Sequence, residues 1–290
     1  MSALELSSRS RLDSRRARAR ATFGQLLRSA SFDVGAVIVV FWIVDAIFWH
    51  ALAPQDPQAL NPLAALQGPT AAHWFGTDWL GRDVFSRTLA GSTSVLEIAP
   101  LATLLGIAGG TVVGLVTGYY GGAVDALVMR LVDAFLAFPL VIIAVLVLSL
   151  LGTSEITVIV LIGVIFTPVV SRTVRSVVLV ERDKEYVASA RLRGEGDWYI
   201  MTAEILPNVT TPIIVESTVR LGYAIFTAAT LSFLSLGIQQ PSPDWGLTIS
   251  LGRQYLQIAP WIVLFPAVAL ATLVVAVNLV ADSIQQVMAQ

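Results

Sequence analysis

The chain has no cysteine, two histidines and one lysine, and each scarcity removes a class of chemistry. Without cysteine there is no disulfide framework, no thiolate metal site and no thiol nucleophile. His50 and His73 belong to no His-Glu-x-x-His pattern, so zinc-dependent proteolysis within a membrane lacks its ligands. Both read as isolated, solvated imidazoles. Lys184 follows Asp183, whereas a phosphate-binding loop of the form G-x-x-x-x-G-K-[ST] requires glycine at that place, so ATP is not bound by that route. Charge is scarce too: 13% of residues are charged against 56% hydrophobic.

What the chain has in abundance is apolar sequence in runs long enough to cross a bilayer, which predicts an all-α, polytopic membrane protein. Six transmembrane helices are expected near 32–52, 95–117, 134–151, 156–178, 209–236 and 261–281. They divide the chain into a basic tail (1–31), a first helix (32–52), an outer loop (53–94) and a five-helix core (95–290). With the N-terminus inside, the inner segments hold Arg9, Arg11, Arg15, Arg16, Arg18, Arg20, Arg28, Arg130, Arg172, Arg175, Arg182, Lys184, Arg191 and Arg193. The outer ones hold only Arg82, Arg87 and Arg253. By the positive-inside rule both termini are cytoplasmic. Ala51-Leu52-Ala53 has the form of a signal-peptide cleavage site, but the preceding tail is long for an n-region and the apolar run is nearer a full span. The Arg- and Ser-rich tail reads as disordered, with affinity for anionic membrane lipid.

The loop 53–94 carries Pro54, Pro57, Pro62, Gly68 and Pro69 and is expected to be irregular, with a short helix around Asp83 to Leu89. Trp245, in the turn-rich loop 237–260, and Trp261 suit the headgroup level. Gly106, Gly110, Gly114 and Gly118 recur every four residues and form a bare ridge for close helix contact, either within the chain or with another subunit. Among intramembrane charges, Glu216 and Arg220 stand i, i+4 in the fifth run, acid first, and are read as either a neutralised structural pair or a lining of the cytoplasmic half of a substrate pathway. Asp45 is expected to contact a neighbouring subunit. The nearby Phe41, Trp42, Phe48 and Trp49 are expected to face lipid or the interface.

Residues 181–208 form a polar island among these runs and must sit in water. Helix formers from Glu185 to Arg193, stops at Gly194 and Gly196, and Asp197 as the cap of a second helix ending at Pro207 predict a helical hairpin. Such an element is either a solvated loop or a plug for a groove on a soluble partner.

Here the residues carry a resemblance. Glu185, Tyr186, Ala188, Ser189, Ala190 and Arg191, then Gly194 and Ile205-Leu206-Pro207-Asn208, resemble the EAA loop of permease subunits in ATP-binding-cassette (ABC) importers. Ala188 and Ser189 depart from it, standing where that motif usually has its Glu and first Ala. Three further blocks resemble the C-type permease of dipeptide and oligopeptide importers: His73-Trp74-Phe75-Gly76-Thr77-Asp78-Trp79-Leu80-Gly81-Arg82-Asp83-Val84-Phe85-Ser86-Arg87; Gly118-Tyr119-Tyr120-Gly121-Gly122 with Asp125, Arg130, Asp133 and Phe138-Pro139; and Leu231-Ser232-Phe233-Leu234-Ser235-Leu236-Gly237 with Pro241, Pro243 and Trp245-Gly246. Together they cover roughly residues 32–285.

The resemblance implies a type I ABC importer permease fold in a bacterial inner membrane. It also implies a second homologous permease completing the pore, one or two kinds of ATPase subunit beneath, and an extracytoplasmic substrate-binding protein. The chain itself would be non-catalytic and hold no cofactor, with ATP and Mg on the partner ATPases. Nucleic acid is not an expected partner. Short peptides are the implied cargo, with nickel or glutathione as alternatives within the family. A secondary transporter driven by an ion gradient is the alternative of another class, for which Asp45 and Glu216 speak.

Overall fold

A computed structural model describes residues 29–288 and shows an all-helical chain over that range. The tail arginines from Arg9 to Arg28 lie outside the described residues. The long helices are α1 (Ala30–Leu52), α2 (Val84–Tyr120), a bent pair α3 (Gly122–Leu136) and α4 (Leu140–Leu151), and α5 (Glu155–Glu181). After the polar island, where α6 (Glu185–Leu192) lies, come α7 (Thr210–Phe233), the short α8 (Trp245–Gly252) and α9 (Trp261–Met288).

Among the described residues, α1, α2, α5 and α9 are each long and apolar enough to span a membrane, and the bent pair raises the number to five. The fifth expected span, α7, has 24 residues, but Glu216, Arg220 and repeated threonines and serines make it less apolar than the others.

The run expected at 134–151 is not one helix. α3 and α4 meet at 86°. The break falls where Pro139 removes an N–H and disfavours helical backbone at Phe138. α4 alone has 12 residues, about 18 Å at 1.5 Å per residue, short of the roughly 30 Å hydrocarbon core. α3 is held to α5 by ion pairs of Arg175 with Asp125 and Arg172 with Asp133.

α2 is longer than expected. It runs 37 residues, about 56 Å, so the short helix anticipated near Asp83 is its first turns. Asp83 caps it, accepting from Ser86 N at 2.8 Å and Ser86 Oγ at 2.7 Å. The segments 53–83 and 237–244 fold onto this end: Arg87 donates to Pro57 O and to Ser242 O, both at 3.0 Å, while Arg82 pairs with buried Asp78 at 2.6 Å. Trp261 Nε1 donates to Thr77 O at 3.0 Å. His73 is no free imidazole; its Nδ1 lies 3.0 Å from Asp83 Oδ1.

The glycine ridge of α2 packs on α5 of the same chain. A Cβ at Gly114 would stand 2.7 Å from Val174 Cβ, and one at Gly118 would stand 2.7 Å from Val178 Cβ. Both are inside any real contact, so the two backbones approach only because the side chains are missing.

Three placements differ from expectation because packing pulls the groups inward. Trp245 is fully buried: its indole donates to Thr88 O at 2.7 Å and meets Trp42 edge-on at 4.9 Å. Trp42 is buried with it and donates to Thr272 Oγ1 at 3.2 Å, whereas Phe41 and Phe48 are exposed. Asp45 is 1% exposed within this chain, with neither oxygen hydrogen-bonded among the described residues, rather than on a surface for another subunit.

Candidate coupling hairpin and intramembrane ion pair

The polar island folds as the predicted hairpin. Its first leg is α6; its second joins an α turn (Asp197–Tyr199), a π stretch (Ile200–Ile205) and a 3-10 turn (Leu206–Asn208) without interruption. α6 ends in a Schellman arrangement: Glu195 N donates to Ala190 O at 3.2 Å and Gly194 N to Arg191 O at 3.0 Å. Gly194 has φ +78°, which a side chain would strain, so the stop belongs to it. Gly196, at φ −72°, is the residue that begins the second leg. Asp197 does not cap that leg; its Oδ1 accepts the Tyr119 hydroxyl at 2.8 Å.

One face of α6 is bolted to the membrane helices. Val187 and Ala190 have no exposed surface and pack with Leu115, Tyr119, Val174, Val178 and Ile205. Burying a valine of this kind contributes about 1.5–3 kcal/mol. The Arg191 guanidinium lies 5.2 Å from the Tyr119 ring, and Arg182 Nη1 donates to Gly118 O at 2.8 Å, so two arginines clamp the end of α2. Buried Glu181 accepts from Tyr186 at 2.8 Å and pairs with Lys184 at 2.7 Å. Burial first, then that bond to a carboxylate, raises the Tyr186 pKa, so the phenol stays a donor. Arg193 reaches Glu204 at 3.0 Å and ties the legs together.

The opposite face is free. Glu185, Ala188 and Ser189 are exposed there; Arg191 is also exposed but turned to Tyr119, while Tyr186 is half-buried and Ala190 buried. Beside them stand large apolar groups that sequence reasoning passed over: Leu192, 90% exposed, and Trp198, 69% exposed, with Tyr199 next to it. Their signal was their type, since residues of this size in a solvated hairpin mark a contact surface.

Within the membrane region, Arg220 Nε donates to Glu216 Oε1 at 2.6 Å, and Thr173 Oγ1 to Glu216 Oε2 at 3.4 Å. Both partners are largely buried, and the guanidinium stands 5.3 Å from the Tyr223 ring and 5.9 Å from that of Phe166. Asp45 lies apart, on α1. Another carboxylate escaped notice: Glu97 sits exposed on α2 inside the second apolar run, beside a groove of α1 and α7 residues, masked by the hydropathy around it.

These features agree with what the chain resembles as a whole. Residues 110–290 match the family described as binding-protein-dependent transport system inner membrane component. The dipeptide transport system permease protein of Alkalihalophilus pseudofirmus is 39% identical over 266 residues, 92% of this chain and 88% of that protein. The glutathione transport system permease protein of Pectobacterium atrosepticum is 38% identical over 254 residues, covering 87% and 84%. The probable D,D-dipeptide transport system permease protein of Escherichia coli K12 is 37% identical over 254 residues, covering 87% and 85%. With its apolar helices and its hairpin anchored to their ends, the chain is a multi-pass inner-membrane permease, a non-catalytic transporter component, and belongs to the family of binding-protein-dependent transport system inner membrane components.

Proposed function

We propose that this permease belongs to an ATP-driven importer of short peptides. The observation that carries the reading is the 39% identity to a dipeptide permease across 92% of the chain. The chain forms half of the pore, and a second, related permease forms the other half. One or two kinds of ATPase subunit, which hold ATP and Mg, bind beneath, and an extracytoplasmic binding protein delivers cargo. α7 and the bent pair each count as a crossing, giving six, with both termini cytoplasmic as the basic residues require.

Coupling runs through the hairpin. Glu185, Tyr186, Ala188, Ser189, Ala190, Arg191 and Gly194 form the element that engages an ATPase, with Leu192 and Trp198 on its free face. Its buried face, seated on α2 and α5, supports the reading, because an element so held moves with the helices. ATP then shifts the permease between inward- and outward-open states only through the difference in how the ATPases bind the two. Moving that balance from 1:99 to 99:1 takes about 5.5 kcal/mol. Glu216 and Arg220 are assigned to the cytoplasmic half of the substrate path.

A second reading, glutathione as cargo, is favoured by the relatives of that name at 38–39% identity. Purifying the tagged chain gently from its native membrane and identifying stoichiometric companions tests the assembly: a second permease with one or two ATPases is expected. A chain recovered without any ATPase overturns the reading. Uptake of labelled dipeptide in competition with glutathione separates the two cargoes.

A further inference from the structure

Glu216 is not free to meet a substrate. Both of its oxygens are engaged, one by Arg220 Nε at 2.6 Å and one by Thr173 Oγ1 at 3.4 Å. What it does is hold Arg220, whose Nη1 and Nη2 make no hydrogen bond among the described residues. These nitrogens belong to a side chain lining a hollow of about 370 Å³ with Phe138 of the broken span, Phe166 of α5 and Tyr223. On the other flank of α7 lies a hollow of about 430 Å³, lined by Gly222, again by Tyr223, and by Asn278 and Asp282 of α9. Asp282 is exposed and has no hydrogen-bond or ion-pair partner among the described residues. Each volume falls within the roughly 300–1,000 Å³ of small-molecule sites. A guanidinium whose Nη nitrogens carry no hydrogen bond, though its Nε is paired with Glu216, and a carboxylate without a partner among the described residues therefore line two hollows that share one tyrosine.

We infer that these two hollows form a transit site that recognises a short peptide by its ends. Arg220 takes the terminal carboxylate in a forked, charge-assisted contact. Asp282 takes the terminal ammonium, and the Asn278 amide faces the peptide link between them. Glu216 and Thr173 are positioning residues that fix the guanidinium. Side chains of the cargo rest against the aromatic walls, which read bulk and not sequence, so one path serves many peptides. The inference rests on the peptide reading above.

The test uses the whole permease–ATPase complex in detergent, without binding protein, titrated with radiolabelled alanyl-phenylalanine, with its C-terminal amide and with its N-acetyl form. A charge-assisted contact of this kind corresponds to about tenfold in affinity. The native complex is expected to bind the amide and the acetylated peptide each about tenfold more weakly than the free dipeptide. Arg220→Gln should bind free and amidated peptide alike while still disfavouring the acetylated one; Asp282→Asn should show the reverse. Arg220→Lys, which keeps the charge, should retain part of the preference. Because the modified ligands probe the native complex, the result does not depend on any variant folding. Equal binding of all three ligands by the native complex, absence of binding, or unchanged preferences in folded variants overturns the transit site. In parallel, ATP-dependent dipeptide uptake by the native complex with its binding protein is measured in vesicles. If uptake occurs, such a result removes only the site; if no uptake occurs, the peptide reading falls and the site with it.

Discussion

Asp244 shows how one buried carboxylate serves the start of α8. It is 3% exposed and accepts from Leu247 N at 2.8 Å, capping α8, while burial raises its pKa above the ordinary 3.8. The folded state therefore holds its proton to higher pH than the unfolded one, and stability falls as pH rises from the ordinary value through the raised one. Asp244→Asn keeps the cap acceptor without the charge and is expected to flatten that slope, whereas Asp244→Ala loses the cap at a cost of about 1 kcal/mol or more. Thermal melting of the purified complex from about pH 4 to neutrality separates the two variants. Tyr186 is its counterpart in the hairpin: Tyr186→Phe deprives buried Glu181 of a donor and should lower stability by about 1–2 kcal/mol, read by the same melts. Neither role was legible beforehand. Asp244 lay unmarked in the turn-rich loop 237–260, and Tyr186 read as part of a loop motif, because burial depends on neighbours distant in sequence.

At the scale of elements, the α2–α5 seam and the hairpin bear the argument. Gly114→Val would force side-chain atoms into Val174 and the α5 backbone, so loss of folded permease from the membrane is expected. Gly196→Ala, where an added Cβ meets nothing within 4 Å and φ is ordinary, should leave yield unchanged. Gly194→Pro demands a φ near −65° where the chain has +78°. It is expected to spoil the hairpin turn, abolish ATPase copurification and leave membrane insertion normal; full transport by that variant would remove the hairpin from coupling. Trp198→Glu should also reduce copurification, with no effect on melting, because its side chain is mostly exposed. The ridge and the hairpin were readable as patterns, since glycine spacing and polar punctuation are local. Their partners were not: the same ridge fits another subunit as well as α5, and the apolar tip is invisible until burial separates Leu192 and Trp198 from Val187 and Ala190.

For the whole molecule, the proposed six-crossing arrangement can be tested directly, because a chain with no cysteine is its own background. Single changes at exposed positions, Ala71→Cys and Gln257→Cys outside and Ser189→Cys inside, are expected to divide cleanly. An impermeant maleimide should label the first two on intact cells and the third only after permeabilisation. Labelling of all three from one side would remove the proposed topology. Energetics can be tested at the same scale: collapse of the proton gradient with ATP maintained should leave uptake intact, whereas loss of uptake would favour the ion-gradient class.

By itself the sequence determined the helical class, membrane residence, the polar island and the family blocks, because hydropathy, glycine spacing and contiguous motifs are properties of neighbouring residues. Only the tertiary structure decided that Pro139 divides the third run at 86°, that α2 extends through 37 residues, and that Trp245 and Asp45 turn inward. It also decided what surrounds the Glu216–Arg220 pair. Glu216 and Arg220 are neighbours on one helix and could be paired on paper. That Thr173 from α5 engages the acid while Phe166 and Tyr223 flank the base depends on helices brought together across the fold, and spacing along one chain carries no record of that packing.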